Sequence, residues 1–326
     1  MISVQILRGI AAMMVIVYHI TQKLYVNGDI KWSFELGAAG VDIFFIISGF
    51  IIYYSSVHEF SANEFMKKRI FRIYPLYWVI TLVTLVISYI RPGMINQHVE
   101  VPISMWNSFT LFPVPGTSPL LIVAWTLSFE MFFYVIYYMA IKLKVNRILF
   151  SSVAIAVLVV IGQIFKIPFI SDPITLEFIY GMIIAYLVTS KNTKAIMVIA
   201  AACLILSATP VVWHSEIRSL YYGIPALALF CVFLLLEKKV RQEGGIIKLA
   251  QVIGDSSYSI YLTHLYSLGI VFILIKSRVS VPVLVVVSFI VSVIIGILCY
   301  KLLEKRIIKS LRPLARKAPL KDIAKT

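Results

Sequence analysis

Long apolar runs alternate along this chain with short polar or basic stretches. Runs near the ~20 residues that an α-helix needs to cross a bilayer recur ten times, at 3–22, 37–56, 73–90, 120–141, 147–165, 173–190, 194–213, 217–236, 257–275 and 282–303. The pattern predicts an all-α polytopic membrane protein of about ten transmembrane helices. The fifth and sixth runs are separated only by a short turn containing Pro168 and Pro173. The longest outer connection, 91–119, holds Trp106, Phe109 and the run FPVPGTSP. Its aromatics suit stacking on a sugar ring or lying at the headgroup level. The segment 240–255 contains IIKLAQVI and reads as an interfacial amphipathic turn. Neither a repeat nor a soluble domain is apparent. The expected organisation is one membrane domain, 1–310, followed by a short basic tail, 311–326, suited to a membrane surface.

Composition agrees: 60% of the 326 residues are hydrophobic, 14% are charged and the mean hydropathy is +0.94, against roughly 25% charged in soluble proteins. The net charge of +15 does not point to nucleic acid, because the basic residues lie between the apolar runs. With the N-terminus inside, 23 Lys and Arg fall on inner segments and 7 on outer ones. That asymmetry predicts cytoplasmic termini. Cys203, Cys231 and Cys299 lie within apolar runs, at no metal-ligand spacing, so neither disulfides nor a metal is expected. The first run is expected to be retained rather than cleaved as a signal, since Arg8 interrupts it and no small-x-small site follows.

Ionisable groups inside the apolar runs are the candidate chemistry, because charge in a bilayer must face protein or water. Arg8 and His19 share the first run, SVQILRGIAAMMVIVYHI. Eleven residues turn a helix by about 1100°, close to three full turns, so both lie on one face, roughly 16 Å apart. Arg8 is either part of an internal site or an interfacial orientation signal. His19 is likewise either part of that site or an interfacial histidine. Arg69 and Arg72, in KKRIFRIYPLYW, stand at i and i+3 on one helix face and suit phosphate oxygens. A positive-inside cluster is the plainer alternative. Asp42 lies near the outer end of GVDIFFIISGFII, where Ser48 and Gly49 offer a small packing surface. Glu130 lies near mid-membrane in AWTLSFEMFFYVIYY and is either functional or part of a structural ion pair. Tyr261 and His264 share a face in SSYSIYLTHLYSL. Walker, GxGxxG, HExxH and GxSxG motifs are missing from the sequence.

Several segments together resemble the acyltransferase family 3 integral membrane proteins. They are LRGIAA…YH with its R-x10-H spacing, GVDIFFIISGF, RIFR followed by YPLYW, WTLSFEMFFY and DSSYSIYLTH. They occur over nearly the whole chain in the family's order, and the opening SVQILRGIAA is most similar to the exopolysaccharide acetyltransferase branch. The resemblance implies a ten- or eleven-helix, multi-pass transferase of the bacterial inner membrane that draws an acyl group from cytoplasmic acyl-CoA. It implies roles for Arg8, His19, Arg69 and Arg72. It also implies a membrane domain without the additional esterase-like domain that some members carry.

The expectation is therefore an O-acyltransferase, with acetyl-CoA as donor substrate, no permanently bound cofactor and no metal. The acceptor is a glycan or lipid-linked sugar, with polysaccharide assembly machinery as a further partner. Arg8, Arg69 and Arg72 would hold the phosphates. His19 would act as base or acyl carrier, with Asp42 or Glu130 orienting it. The rival readings are a polysaccharide transporter or flippase subunit and a non-catalytic assembly subunit.

The topology has a direct check. In intact cells an impermeant thiol reagent should label Gly116→Cys and spare Lys317→Cys. Labelling of both from one side would contradict the charge-based orientation.

Overall fold

The computed structural model describes residues 1–57, 61–90, 101–213, 215, 217–240 and 244–315. The chain forms a helical membrane bundle. Its helices are α1 (Ile2–Val26), α2 (Ala39–Ser56), α3 (Ala62–Ile90), α4 (Met105–Thr110), α5 (Trp125–Lys142), α6 (Arg147–Phe165), α7 (Leu176–Thr189) and α8 (Thr193–Ser207). They continue as α9 (Pro210–Trp213), α10 (Arg218–Tyr221), α11 (Gly223–Leu236), α12 (Gly245–Asp255), α13 (Ser257–Ile275), α14 (Val281–Cys299) and α15 (Lys305–Ala315). Among the described residues eight helical segments are long and apolar enough to cross a bilayer. Two shorter apolar segments, Pro173–Thr189 and Thr193–Ser207, complete the ten positions expected from hydropathy. The protein is therefore an all-α, multi-pass membrane protein. The start of the outer connection, 91–100, and the tail beyond Ala315 lie outside the described residues.

Two helices depart from the hydropathy boundaries. α3 begins at Ala62 rather than 73 and includes Lys67, Lys68, Arg69 and Arg72. A scan for apolar residues cannot register a first turn made of good helix formers with charged tips. At its far end, α14 runs into a π-helical turn, Tyr300–Glu304, and then into α15. The expected amphipathic turn of 240–255 is the helix α12, packed against α1.

α1 is anchored at its first residues by a remote carboxylate. Glu237 accepts from the backbone N–H of Ile2 at 2.9 Å and of Ser3 at 2.8 Å, and also from the Ser3 hydroxyl. These N–H groups have no partner within the helix, and a carboxylate there also complements the helix dipole.

The described part of the 91–119 connection, from Val101 on, packs against α3. Ser108, Phe109 and Thr110 offer their carbonyls to Tyr77, Trp78 and Tyr74, with Thr110 O at 2.6 Å from Tyr74 Oη and Phe109 O at 2.9 Å from Trp78 Nε1. Those side chains leave α3 roughly 18–24 Å from its start at ~1.5 Å per residue. α4 thus packs against the side of α3, which satisfies carbonyls of its last turn that have no partner within the helix, and Ser108 Oγ adds a contact by accepting from Leu120 N at 2.8 Å.

The most extensive helix contact joins α2 to α7, and it is close. A Cβ at Gly49 would fall 2.1 Å from Phe178 O, and one at Gly181 would fall 2.0 Å from Ile46 O. The small surface expected beside Ser48 is thus used for backbone approach. Gly181→Val should lower stability by about 1–3 kcal/mol or more through overpacking. Thermal unfolding in detergent checks this; an unchanged midpoint would mean that the two backbones are not in contact.

Candidate active site

A cavity of about 160 Å³ opens between α1, α2, α3, α5 and α13. Its polar lining includes candidates from the sequence, Arg8 from α1, Arg69 and Arg72 from α3 and Glu130 from α5, and Ser48 from α2 joins them. The i, i+3 spacing of the two α3 arginines and the mid-helix position of Glu130 bring these groups to one chamber.

Each cation has a different degree of compensation. Arg8 donates to Gln5 Oε1 at 3.3 Å, a neutral partner. Arg69 donates to Ser55 Oγ at 3.4 Å and lies over the Phe65 ring at 5.5 Å, while its buried Nε has no hydrogen-bond partner. Arg72 forms an ion pair with Glu304 and lies over the Tyr258 ring at 5.6 Å. Glu304 is 1% exposed, and its second oxygen accepts from Ser259 Oγ at 2.5 Å. Glu130 Oε1 accepts from Ser48 Oγ at 3.0 Å and from the Tyr134 hydroxyl. Three guanidinium groups thus face two carboxylates, which leaves formal positive charge and unused donors. Positive charge and free N–H donors are what an anion requires of a site.

Phe44 and Tyr261 stand together at the cavity wall, with ring centroids 6.2 Å apart. The Tyr261 hydroxyl interacts with Thr126 Oγ1 at 3.0 Å and donates to Val123 O at 3.1 Å. Behind Tyr261 lies His264, 5.8 Å away by ring centroids, and His264 in turn lies 5.1 Å from His19. His264 is fully buried, whereas His19 is partly exposed. The shared face of Arg8 and His19 therefore leads from the arginine chamber to a histidine pair.

The two carboxylates considered as partners of His19 are engaged elsewhere. Among the described residues no hydrogen bond joins Asp42 or Glu130 to His19. Glu130 belongs to the arginine chamber. Asp42 is fully buried and is gripped by Arg218, with Oδ1 3.2 Å from Nε and Oδ2 2.7 Å from Nη2. Arg218 also donates to Ala38 O at 3.3 Å. Nearby, Asp172 caps a turn by accepting from Ile174 N at 3.0 Å, and burial pushes its carboxyl above the usual range. Sequence reasoning had counted Arg218 only as an outer cation. It passed over Glu304, placing the last span's end one residue earlier. The signal available for Glu304 was an isolated acid where an apolar run meets a basic tail. Glu177 was missed as well; it is fully buried beside the Asp42–Arg218 pair, and its geometry gives it no hydrogen bond within normal limits among the described residues.

Comparison with known proteins adds a second line. Residues 1–301 match the acyltransferase 3 family model, described as an acyltransferase domain. The chain is 30% identical over 297 residues to the exopolysaccharide production protein ExoZ of Rhizobium meliloti strain 1021, covering 85% of this chain and 91% of that protein. It is 23% identical over 304 residues to the acyltransferase MdmB of Streptomyces mycarofaciens, covering 79% and 76%. Nodulation protein 10 of Rhizobium leguminosarum bv. viciae is 28% identical over 151 residues, covering 40% and 41%. No solved structure matches the chain significantly.

The Asp42–Arg218 geometry predicts asymmetric mutational effects. Arg218→Met leaves a buried carboxylate unpaired and should cost about 3–5 kcal/mol, while the double variant Asp42→Asn/Arg218→Met should recover most of it. Thermal unfolding of the purified variants measures both. Equal losses in the single and double variants would show that the pair itself is not what matters.

Proposed function

The chain belongs to the acyltransferase 3 family, and from that premise we propose that it moves an acyl group, most simply acetyl, from cytoplasmic acyl-CoA to a hydroxyl of a surface or exported polysaccharide or its lipid-linked precursor. The setting is a bacterial inner membrane with both termini in the cytoplasm. The observation that carries this reading is the arrangement of Arg8, Arg69 and Arg72 around one cavity, with Tyr261 in its wall and His264 and His19 beyond it.

Coenzyme A carries its phosphates at one end and its thioester at the other. Arginines suit the phosphates, through charge and paired N–H donors. From Arg8 to His19 the helix rises roughly 16 Å, comparable with the reach of a pantetheine arm. The thioester then lies near the histidine pair. His19 takes the proton of the acceptor hydroxyl, whose oxygen attacks the thioester carbonyl. The C–S bond breaks, and the proton passes to the departing sulfur. The products are the glycan ester and free CoA. Glu130 acts at the donor end, where its carboxylate lies in the chamber with the arginines and offsets their mutual repulsion when no phosphate is bound. Asp42 acts through Arg218 as an anchor of the bundle. The polysaccharide role in the name of ExoZ supports the choice of acceptor.

Two variants test the two ends separately. Arg72→Lys loses the planar fork and should weaken binding of a non-hydrolysable acyl-CoA analogue by about tenfold or more. His19→Gln should keep that binding and lower acylation of the glycan by at least ~100-fold. Unchanged analogue affinity in Arg69→Ala and Arg72→Ala would remove the arginines from the donor site. Normal acylation by His19→Gln would remove the base.

A further inference from the structure

Resting on the acyl-transfer reading above, we infer that His264 is the positioning residue for His19: its Nε2 accepts a hydrogen bond from a ring N–H of His19 and so leaves the other His19 nitrogen free to take the acceptor's proton. The first observation is the state of the His264 ring. Nδ1 lies 2.7 Å from Tyr261 O. A carbonyl oxygen can only accept, so Nδ1 carries the proton. In the neutral ring Nε2 is then a bare lone pair. It is buried and has no partner among the described residues. Buried polar atoms are nearly always satisfied, so this one calls for a donor.

The second observation is what lies next to it. The His19 ring is 5.1 Å away by centroids, tilted by 42°. A linear N–H···N bond between two imidazoles sets their centroids about 5 Å apart. The spacing therefore admits a bonded pair once rotation of the partly exposed His19 ring about χ2 brings a ring N–H to His264 Nε2. The third observation is exclusion. A catalytic histidine needs a group that fixes its tautomer, yet Asp42 is held by Arg218 and Glu130 by Ser48 and Tyr134. His264 is the acceptor that remains beside it.

The arrangement ties the donor chamber to the base. The carbonyl that locks His264 belongs to Tyr261, whose side chain lines the cavity. The His264 ring keeps its Nδ1 proton throughout. Only His19 gains the hydroxyl proton and then passes it to the CoA sulfur.

Two polar substitutions separate positioning from packing. His264→Asn can still donate to Tyr261 O but has nothing at the place of Nε2. His264→Gln carries an amide oxygen to that place. The assay is transfer from radiolabelled acetyl-CoA to glycan isolated from a deletion strain, by purified protein in nanodiscs. His264→Asn should lower kcat about 10- to 100-fold, the usual range for loss of an outer-shell orienting group, with KM for acetyl-CoA unchanged within about twofold. His264→Gln should restore most of kcat. His19→Gln/His264→Asn should be no slower than His19→Gln alone, because the two residues act as a unit. Wild-type kcat in His264→Asn beside an inactive His19→Gln would overturn this inference and leave the base assignment standing. Equal losses in Asn and Gln with a raised KM would also overturn it, in favour of packing. Wild-type kcat in His264→Asn and His19→Gln alike would remove the base assignment and this inference together.

Discussion

Charge buried in a bilayer must be met by opposite charge, by hydrogen-bond partners or by water, and this protein places five ionisable side chains around one point in its interior. Moving a single arginine to the bilayer centre costs at least ~2.5 kcal/mol on insertion scales. Arg8, Arg69 and Arg72 can be housed only because α1, α3, α5 and the end of α14 converge, bringing Glu130 and Glu304 within reach. The π-helical turn at Tyr300–Glu304 belongs to this solution. It places Glu304 between Arg72 and Ser259, where it accepts from both. Such turns recur at functional sites, and here the turn sets the position of a cation facing the cavity.

The compensation is incomplete, and in the proposed function that remaining positive charge holds the donor's phosphates. A fully neutralised cluster would hold the helices together but would have nothing to offer an anion. Among the described residues Arg8 donates to a neutral glutamine alone and the Arg69 Nε has no partner, so donors remain for a ligand. Binding at that end can serve chemistry at the other. Interactions with remote parts of a substrate can be used to position its reacting centre. Tyr261, between the arginine chamber and the histidine pair, is where the two ends meet.

Much of this was legible in the sequence, for a physical reason. Helical periodicity is local, so the common face of Arg8 and His19 and the i, i+3 pairing of Arg69 and Arg72 could be read from spacing alone. The apolar runs 147–165 and 257–275 coincide with α6 and α13. Partnerships across the bundle could not be read in this way. Asp42 and Arg218 are 176 residues apart, and Arg72 and Glu304 are 232 apart. A single chain carries no local signal for such pairs. The docking of α4 on α3 was hidden too, since it is set by carbonyl acceptors for Tyr74, Tyr77 and Trp78 rather than by any apolar run. The recurring motifs of the acyltransferase 3 family supplied what spacing could not, namely the expectation that these residues belong to one site.

The central claim is that this protein adds an acyl group to a glycan. Mass spectrometry of the exported glycan from a deletion strain, compared with the parent strain, tests it most directly. The account predicts glycan of normal chain structure and amount that has lost an acyl mass increment, 42 Da per site if the group is acetyl (about one C2H2O unit per ester formed by acyl transfer), and regains it when the intact gene is restored. Glycan that keeps its full acylation, or that is no longer exported at all, would contradict the account and favour a transporter or assembly subunit.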